Sequence, residues 1–282
     1  MLAYQHAYHA GNFADVHKHL LLFATIDLLL RKDSAITFVD THAGRGLYPL
    51  AAAQTQKLQE YQHGIAPLWR ARESLAEHQP LLRDWLSALD EAQPGRRLET
   101  YPGSPWWLAK RLRAQDRLRL FELHPAEHEA LAQQPLAPGI KRLREDGLQG
   151  LQRMLPVSTP RLGVLIDPSY EVKTDYTMVA ETLIEAARKV RHAVLLIWYP
   201  LLPAGRHRQL LQQLKDSGLR KLWRSELTLA APEHSSHGMY GSGMLVLNPP
   251  WGLSEDVTRA MQAIAPLLGE AASHRADWWV GE

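Results

Sequence analysis

The 282-residue sequence has no cysteine, which excludes disulfides and any cysteine-ligated metal centre. No uninterrupted apolar run reaches membrane length, so a spanning helix and a membrane partner are not expected. The opening "MLAYQHAYHAGNFADVHKH" is too polar for a secretory signal. Low-complexity stretches and internal repeats are also missing. Together these absences fit a cytoplasmic protein. What is present is ordinary for a globular chain: 45% hydrophobic and 22% charged residues, enough to bury a substantial core.

Charge of one sign is scarce too, with a formal net charge of only +2. The cations are nevertheless clustered, in "KRLRAQDRLR" (110–119), "KRLR" (141–144), "RKVRH" (188–192), "RHR" (206–208) and "RKLWR" (220–224). If these runs shared a face they would meet phosphates and make binding salt-dependent. The alternative is that each is the solvated side of its own helix or strand.

Residues 13–31, "FADVHKHLLLFATIDLLLR", read as a helix with Asn12 placed to cap it. "AITFVD" (35–40) is a short β-branched strand that runs directly into the glycine turn "THAGRG". From 52 to 98 the chain is polar and helical without a strand signal, an expected helical insertion within one domain spanning 1–282. Strand patterns then resume at 118–124, 163–167, 193–199, 222–230 and 243–248, with helical patterns between them, for instance at 126–134 and 176–191. This alternation predicts an α/β fold with a doubly wound, mostly parallel sheet.

In such sheets ligands bind beyond the carboxyl ends of the strands. The residues found there are Asp40 before the glycine turn, Glu122, Asp146 with Gly147, and Asp167. Gly44 and Gly46 permit close backbone approach, and Glu122 stands where a ribose-binding acid belongs. "DTHAGRG" lacks the Gly-x-Gly-x-x-Gly that holds a pyrophosphate. An acidic, glycine-turned rim suits a cationic cofactor without phosphates, S-adenosylmethionine, better than NAD. Asp146 would then accept from its adenine amine.

Two tetrapeptides compete for the reaction itself. "GVLIDPSY" (163–170) ends in Asp-Pro-Ser-Tyr, and "GMLVLNPPW" (243–251) ends in Asn-Pro-Pro-Trp. An exocyclic adenine amine is a poor nucleophile because its lone pair is delocalised into the ring. A carboxylate and a backbone carbonyl that accept its N–H bonds favour the pyramidal nitrogen and stabilise charge that develops only in the transition state. Asp167 and Pro168 would be those acceptors, with Asp167 also taking the proton, and Tyr170 would stack on the base. The acids at 40, 122 and 146 lead in order to 167. The Asn-Pro-Pro-Trp run comes late, with too few residues after it to complete a sheet, and is expected only to end a strand.

"YQHAYHAGNFADVHKH" (4–19), "DTHAGRGLY" (40–48), "EYQHGI" (60–65), "YPGSP" (101–105), "ELHP" (122–125), "LIDPSYEVKTDY" (165–176), "IWYP" (197–200) and "SGMLVLNPPW" (242–251) carry a family pattern nearly end to end. The chain resembles the 23S ribosomal RNA adenine-N6 methyltransferases of the RlmJ type. That resemblance implies a Rossmann-like S-adenosylmethionine-dependent sheet with a helical insertion, acting on 23S rRNA. It implies that Lys18, His19, His42, Ser104, Glu122, Asp146, Gly147 and Asp167 line the cofactor site. It also implies Asp167 and Pro168 as acceptors for the target amine, Tyr4 near the catalytic pocket, and no catalytic part for Asn-Pro-Pro-Trp. The family's usual Asp-Pro-Pro-Tyr has Ser169 in place of its second proline here, leaving the loop less restricted.

"HKH" (17–19) raises a metal site, but i and i+2 point to different faces of a helix and no third ligand has motif spacing, so no metal is expected. Trp69, Trp85, Trp106 and Trp107 have core-like spacing and are expected to be buried. A monomer is expected. Two other readings stay open on sequence alone: a DNA adenine-N6 methyltransferase, and a non-catalytic RNA-binding protein on the same scaffold.

Overall fold

The computed structural model describes residues 5–135, 137, 139–230 and 238–282. A 3-10 turn, His6–Tyr8, leads into α1 (Phe13–Leu30) and β1 (Ile36–Asp40). The short strands β2 (Leu47–Pro49) and β3 (Thr100–Pro102) bracket α2 (Ala53–Leu58), a 3-10 turn (Glu60–His63), α3 (Ile65–Arg70), α4 (Arg72–His78) and α5 (Pro80–Asp90). Then follow α6 (Ser104–Lys110), β4 (Arg117–Phe121), α7 (Pro125–Ala132), β5 (Ile140–Leu143), α8 (Gly147–Met154), β6 (Arg161–Ile166) and α9 (Asp175–Lys189). The chain closes with β7 (Val194–Leu201), α10 (His207–Asp216), β8 (Leu222–Thr228), β9 (Gly241–Leu247), α11 (Leu253–Leu268) and β10 (Ser273–Val280).

Eight strands form one sheet in the order β10-β8-β9-β7-β6-β1-β4-β5. The β7-β6-β1-β4-β5 half is parallel, while β9 runs antiparallel to both β7 and β8, and β10 antiparallel to β8. Both faces of the parallel half are covered, as its continuous apolar strands require. Leu165 and Leu196 point into a core built with α1, α6, α11 and the helices between β2 and β3. Their neighbours Val164, Ile166, Leu195 and Ile197 point into the opposite core under α8, α9 and α10. That is the period of two that a strand imposes.

Helix α1 is buried on every side from Ala14 to Ile26, and Asn12 caps it by accepting the Asp15 amide at 2.9 Å. The segment between β2 and β3 is helical, and its Leu68, Leu82 and Trp85 join the same core as α1. Trp69, Trp85 and Trp107 are buried and Trp106 half-buried.

One expectation needs correction. The residues after Trp251 do complete the sheet, supplying α11 and the edge strand β10; a half-exposed edge strand lacks the apolar run by which inner strands are found. Within the basic runs, Arg113 is tied to Asp116 and to the carbonyls of Leu30 and Lys32, and Arg224 makes a two-pronged pair with Asp277.

The sheet direction places the two tetrapeptides at opposite edges. Because β9 is antiparallel to β7, Leu247 pairs with Leu195 and the following Asn248 emerges at the amino end of β7. There Asn248 adopts φ +53° and donates to the carbonyls of Arg191 and Ala193. Trp251 is 96% exposed. The run is a strand terminator at the edge opposite Asp167.

The β7–β9 pairing is tight enough that a Cβ on Gly243 would lie 2.1 Å from the Tyr199 ring. Gly243→Ala is therefore expected to lower stability by about 1–3 kcal/mol, as overpacking does; an unchanged urea midpoint would refute this.

Candidate active site

Strand register brings the acids to one edge. Asp40 pairs with Leu120 on β4 and Leu165 on β6, and Glu122 and Asp167 each follow two residues later. Phe121 pairs with Leu143 on β5, after which the chain reaches Asp146. A cavity of about 380 Å³ opens along this edge, lined by Glu122, Asp146, Asp167, Pro168 and residues of α1 and its approach. This is the carboxyl-end crevice where strand order reverses from β1 toward β6.

One end of the cavity has the features of a nucleoside subsite. Glu122 accepts the Gly44 and His124 amides, each at 2.7 Å. Burial raises the pKa of its carboxyl, and those two amides oppose the rise. Gly44 has φ +62°, a conformation that favours glycine. Asp146 caps α8 through the Gln149 amide at 3.0 Å. At Gly147 a Cβ would lie 1.9 Å from the Thr41 carbonyl oxygen, so only glycine lets α8 start against the β1 turn. Burial lowers the His42 pKa to about 4, against the pull of Asp146, so the ring is neutral.

Toward the middle, Ser104 at the start of α6 is buried and opposes the effect of burial on the Asp40 carboxyl. His19 lines the cavity with Nδ1 2.9 Å from the Tyr101 hydroxyl. Its buried Nε2 has no hydrogen-bond partner among the described residues.

The other end is dominated by one cation and two carboxylates. Lys18 Nζ lies 2.6 Å from Asp167 Oδ2 and 3.0 Å from Asp15 Oδ1. Burial alone would lower the lysine pKa, but Asp167 and Asp15 outweigh it and hold the ammonium above the usual lysine range. Burial raises the Asp167 carboxyl, and Lys18 works against that rise. Asp15 also meets the Gly11 amide at 2.8 Å and His6 Nε2 at 2.9 Å. His6 and Lys18 overcome its burial and hold it well below the carboxylate range.

Most of the expected site residues therefore converge: Lys18, His19, His42, Ser104, Glu122, Asp146, Gly147, Asp167 and Pro168 all line this cavity, as does Ser169. Tyr170 does not. It has φ +53°, its ring packs 4.4 Å from that of Tyr176, and its hydroxyl donates to the Trp198 carbonyl at 2.8 Å. In this conformation Tyr170 offers no face to a base and instead braces the loop. Tyr4 lies outside the described residues. His17 and His19 diverge as i and i+2 predict, His17 reaching Ser225 and Ser242. Sequence reasoning missed Asp15, whose only signal is its i,i+3 spacing to Lys18, and Trp198, hidden inside "IWYP".

Residues 33–280 match the family model described as "Ribosomal RNA large subunit methyltransferase D, RlmJ". The chain is 34% identical to Ribosomal RNA large subunit methyltransferase J of Escherichia coli K12 over 282 residues, 99% of each chain. It is also 34% identical to the protein of the same name from Haemophilus influenzae, over 95% of this chain and 93% of that one. Among solved structures, protein LPL1258 from Legionella pneumophila superposes with a TM-score of 0.88 at 31% identity, covering 96% of this chain and 98% of that one. A probable spermidine synthase from Corynebacterium glutamicum shares the fold alone, with a TM-score of 0.50 at 10% identity, covering 93% of this chain and 75% of that one.

Asp40 offers a pH test. Burial raises its carboxyl from 3.8 to about 7, with Ser104 opposing and Asp167 adding to the rise. A carboxyl whose folded pKa is raised favours the fold at low pH, and that contribution is lost as pH climbs through the raised value. Relative to Asp40→Asn, the wild-type protein should lose stability between pH 5 and about 7, by up to ~1.4 kcal/mol per pH unit. Parallel stability profiles in chemical denaturation would contradict the assignment.

Proposed function

Because this chain belongs to the RlmJ family of ribosomal RNA large subunit methyltransferases, with S-adenosylmethionine as methyl donor, we propose that it methylates the exocyclic N6 of one adenine in 23S rRNA. The observation that supports this is the junction of two chemistries in one cavity: Glu122 and Asp146 at one end, Asp167 and Pro168 at the other.

The residues present fit the cofactor. His19 has a buried nitrogen free to meet a carboxylate, since the Tyr101 hydroxyl can donate to the other ring nitrogen. Glu122 is oriented by two amides toward ribose hydroxyls, and Asp146 stands ready for an adenine amine. Acids outnumber cations along the lining, which suits a cationic ligand. When bound, S-adenosylmethionine supplies an electrophilic methyl group on a sulfonium centre.

The chain's own task is to prepare the nucleophile. Lys18 occupies Oδ2 of Asp167, leaving Oδ1 for the target amine. Lys18 opposes the rise that burial imposes on the Asp167 carboxyl. Asp167 and the Pro168 carbonyl take the two N–H bonds of the amine, so nitrogen pyramidalises and its lone pair leaves the ring system. As the N–C bond forms, one proton must leave nitrogen, and Asp167 is the adjacent base. Proline fixes φ at 168 and presents its carbonyl without adding a competing donor. In the ligand-free conformation Tyr170 packs behind this loop, against Tyr176 and the Trp198 carbonyl.

We also take 52–98 as a helical subdomain, within one methyltransferase domain spanning 1–282, that recognises folded rRNA. It is tied to the cavity rim: Glu60 accepts from Asn12 Nδ2 at 2.9 Å and pairs with His9 Nδ1 at 3.0 Å. The same reading takes the protein as a monomer working in the cytoplasm.

Incubating the protein with labelled S-adenosylmethionine and unmodified 23S rRNA should place the label on N6 of a single adenine. Asp167→Asn should cut single-turnover methylation by roughly 10²- to 10⁴-fold while still binding the cofactor. Label on another atom, preference for duplex DNA, or a wild-type rate in the variant would refute the reading.

A further inference from the structure

The cavity lining is richer in acids than in cations, which suits the cofactor but repels phosphates. A formal net charge of +2 supplies no general attraction for RNA either. An rRNA substrate therefore needs cations gathered outside the cavity. Two of the basic runs meet where β4 pairs with the edge strand β5.

In that pairing Arg119 lies directly opposite Lys141, and Phe121 opposite Leu143. The period of two puts Arg117, Arg119 and Lys141 on one face of the sheet, the face on which Phe121 and Leu143 pack with the core of α8. Phe121 and Leu143 take the end of that face nearer the cavity, and the three cations take the other end. Arg117 and Lys141 are exposed and Arg119 is half-buried. Arg117 Nη1 donates to the carbonyls of Ala114 and Asp116, and Arg119 Nη1 to that of Leu118. The acids of the same segments are engaged elsewhere: Asp116 by Arg113, Glu145 by Arg153, and Asp146 by the start of α8. Helix α7, with Glu127 and Glu129, lies on the opposite face, where Leu131 joins the core of α1. Among the described residues no carboxylate pairs with any of the three cations. Burial, and then Arg117, lower the pKa of the Arg119 guanidinium.

Like charges directly opposite one another destabilise a sheet, so the fold gains nothing from this crowding. A lysine on an edge strand guards against pairing with another chain. That accounts for Lys141 but not for the two arginines, which sit on β4, one strand in. Phosphates would relieve the repulsion, the arginine forks meeting them bidentately and the lysine as a point charge. Strand β5 leads through the exposed Arg144 to Asp146 at the cavity. Lys141 is five residues from Asp146, at most about 18 Å of chain. An rRNA element with its target base in the cavity has neighbouring phosphates within that reach.

We propose that Arg117, Arg119 and Lys141 form a docking surface for phosphates of the folded rRNA around the target nucleotide. This rests on the rRNA part of the reading above and not on which atom is methylated. Phosphate contacts position a nucleic acid without reading its sequence. Substitution here should therefore act on RNA affinity and KM, and leave kcat and the labelled nucleotide as they are.

The test measures binding of a 23S rRNA fragment across a salt series, with methylation kinetics and S-adenosylmethionine affinity by calorimetry. The triple variant Arg117→Gln, Arg119→Gln, Lys141→Gln should bind the fragment roughly tenfold or more weakly. It should also flatten the dependence of log affinity on log salt by about 2–3, with kcat and cofactor affinity unchanged. The double variant Arg117→Lys, Arg119→Lys, which keeps the charges, should retain most of the affinity. Wild-type affinity and salt dependence in the triple variant would overturn the proposal and leave an acidic protein as the occupant. In the wild-type protein, bound rRNA should protect Lys141 from acetylation. Modification at the free-protein rate within the complex would overturn the proposal whether or not the triple variant folds. A wild-type protein that labels duplex DNA and not rRNA would overturn the functional reading instead.

Discussion

Lys18 is a single ammonium buried between two carboxylates, and the reaction end of the cavity is organised around it. Asp15 comes from the same helix and Asp167 from the end of β6, so the bridge joins α1 to the loop proposed to carry the chemistry. An unpaired charge in that setting would cost several kcal/mol, which explains why the second carboxylate has further partners in His6 and the Gly11 amide. The same geometry has a chemical result. It restrains the tendency of a buried Asp167 to take up a proton, and it engages only one of the two carboxylate oxygens.

Two kinds of constraint meet in this site. The cofactor end depends on the close approach of backbones, where Gly147 abuts the Thr41 carbonyl and Gly44 takes up positive φ. The substrate end depends on buried polar pairing between Lys18 and Asp167. The segment between β2 and β3 meets the approach to α1 through Glu60, which bonds His9 and Asn12. That connection gives the helical segment a physical route to the substrate side of the cavity.

Much of the fold was legible because β1 and β6, at the centre of the parallel half, are apolar runs that lead into acids. "AITFVD" became β1 and "GVLID" became β6 with little change of boundary. The edge strand β10 was not legible, since its alternating half-exposed residues resemble a polar tail. Among site residues, the strand-end acids could be read from order alone. Asp15 could not, because a carboxylate inside a helix has no strand end to mark it. The packing of Tyr170 was not legible either, since its φ of +53° and its bond to the Trp198 carbonyl are set by residues far along the chain.

The sequence by itself determined the alternation of strands and helices, the four acids in order, and the Asp-Pro step whose carbonyl and carboxylate suit an amine. It did so because strand periodicity and backbone chemistry are local properties. Only the tertiary structure decided which face each group presents and which edge of the sheet it reaches. Strand direction put "NPPW" at the wrong edge, and packing turned Tyr170 inward and Trp198 toward the cavity. Those outcomes depend on hydrogen bonds between residues far apart in the chain, such as His17 with Ser242, which no local pattern encodes.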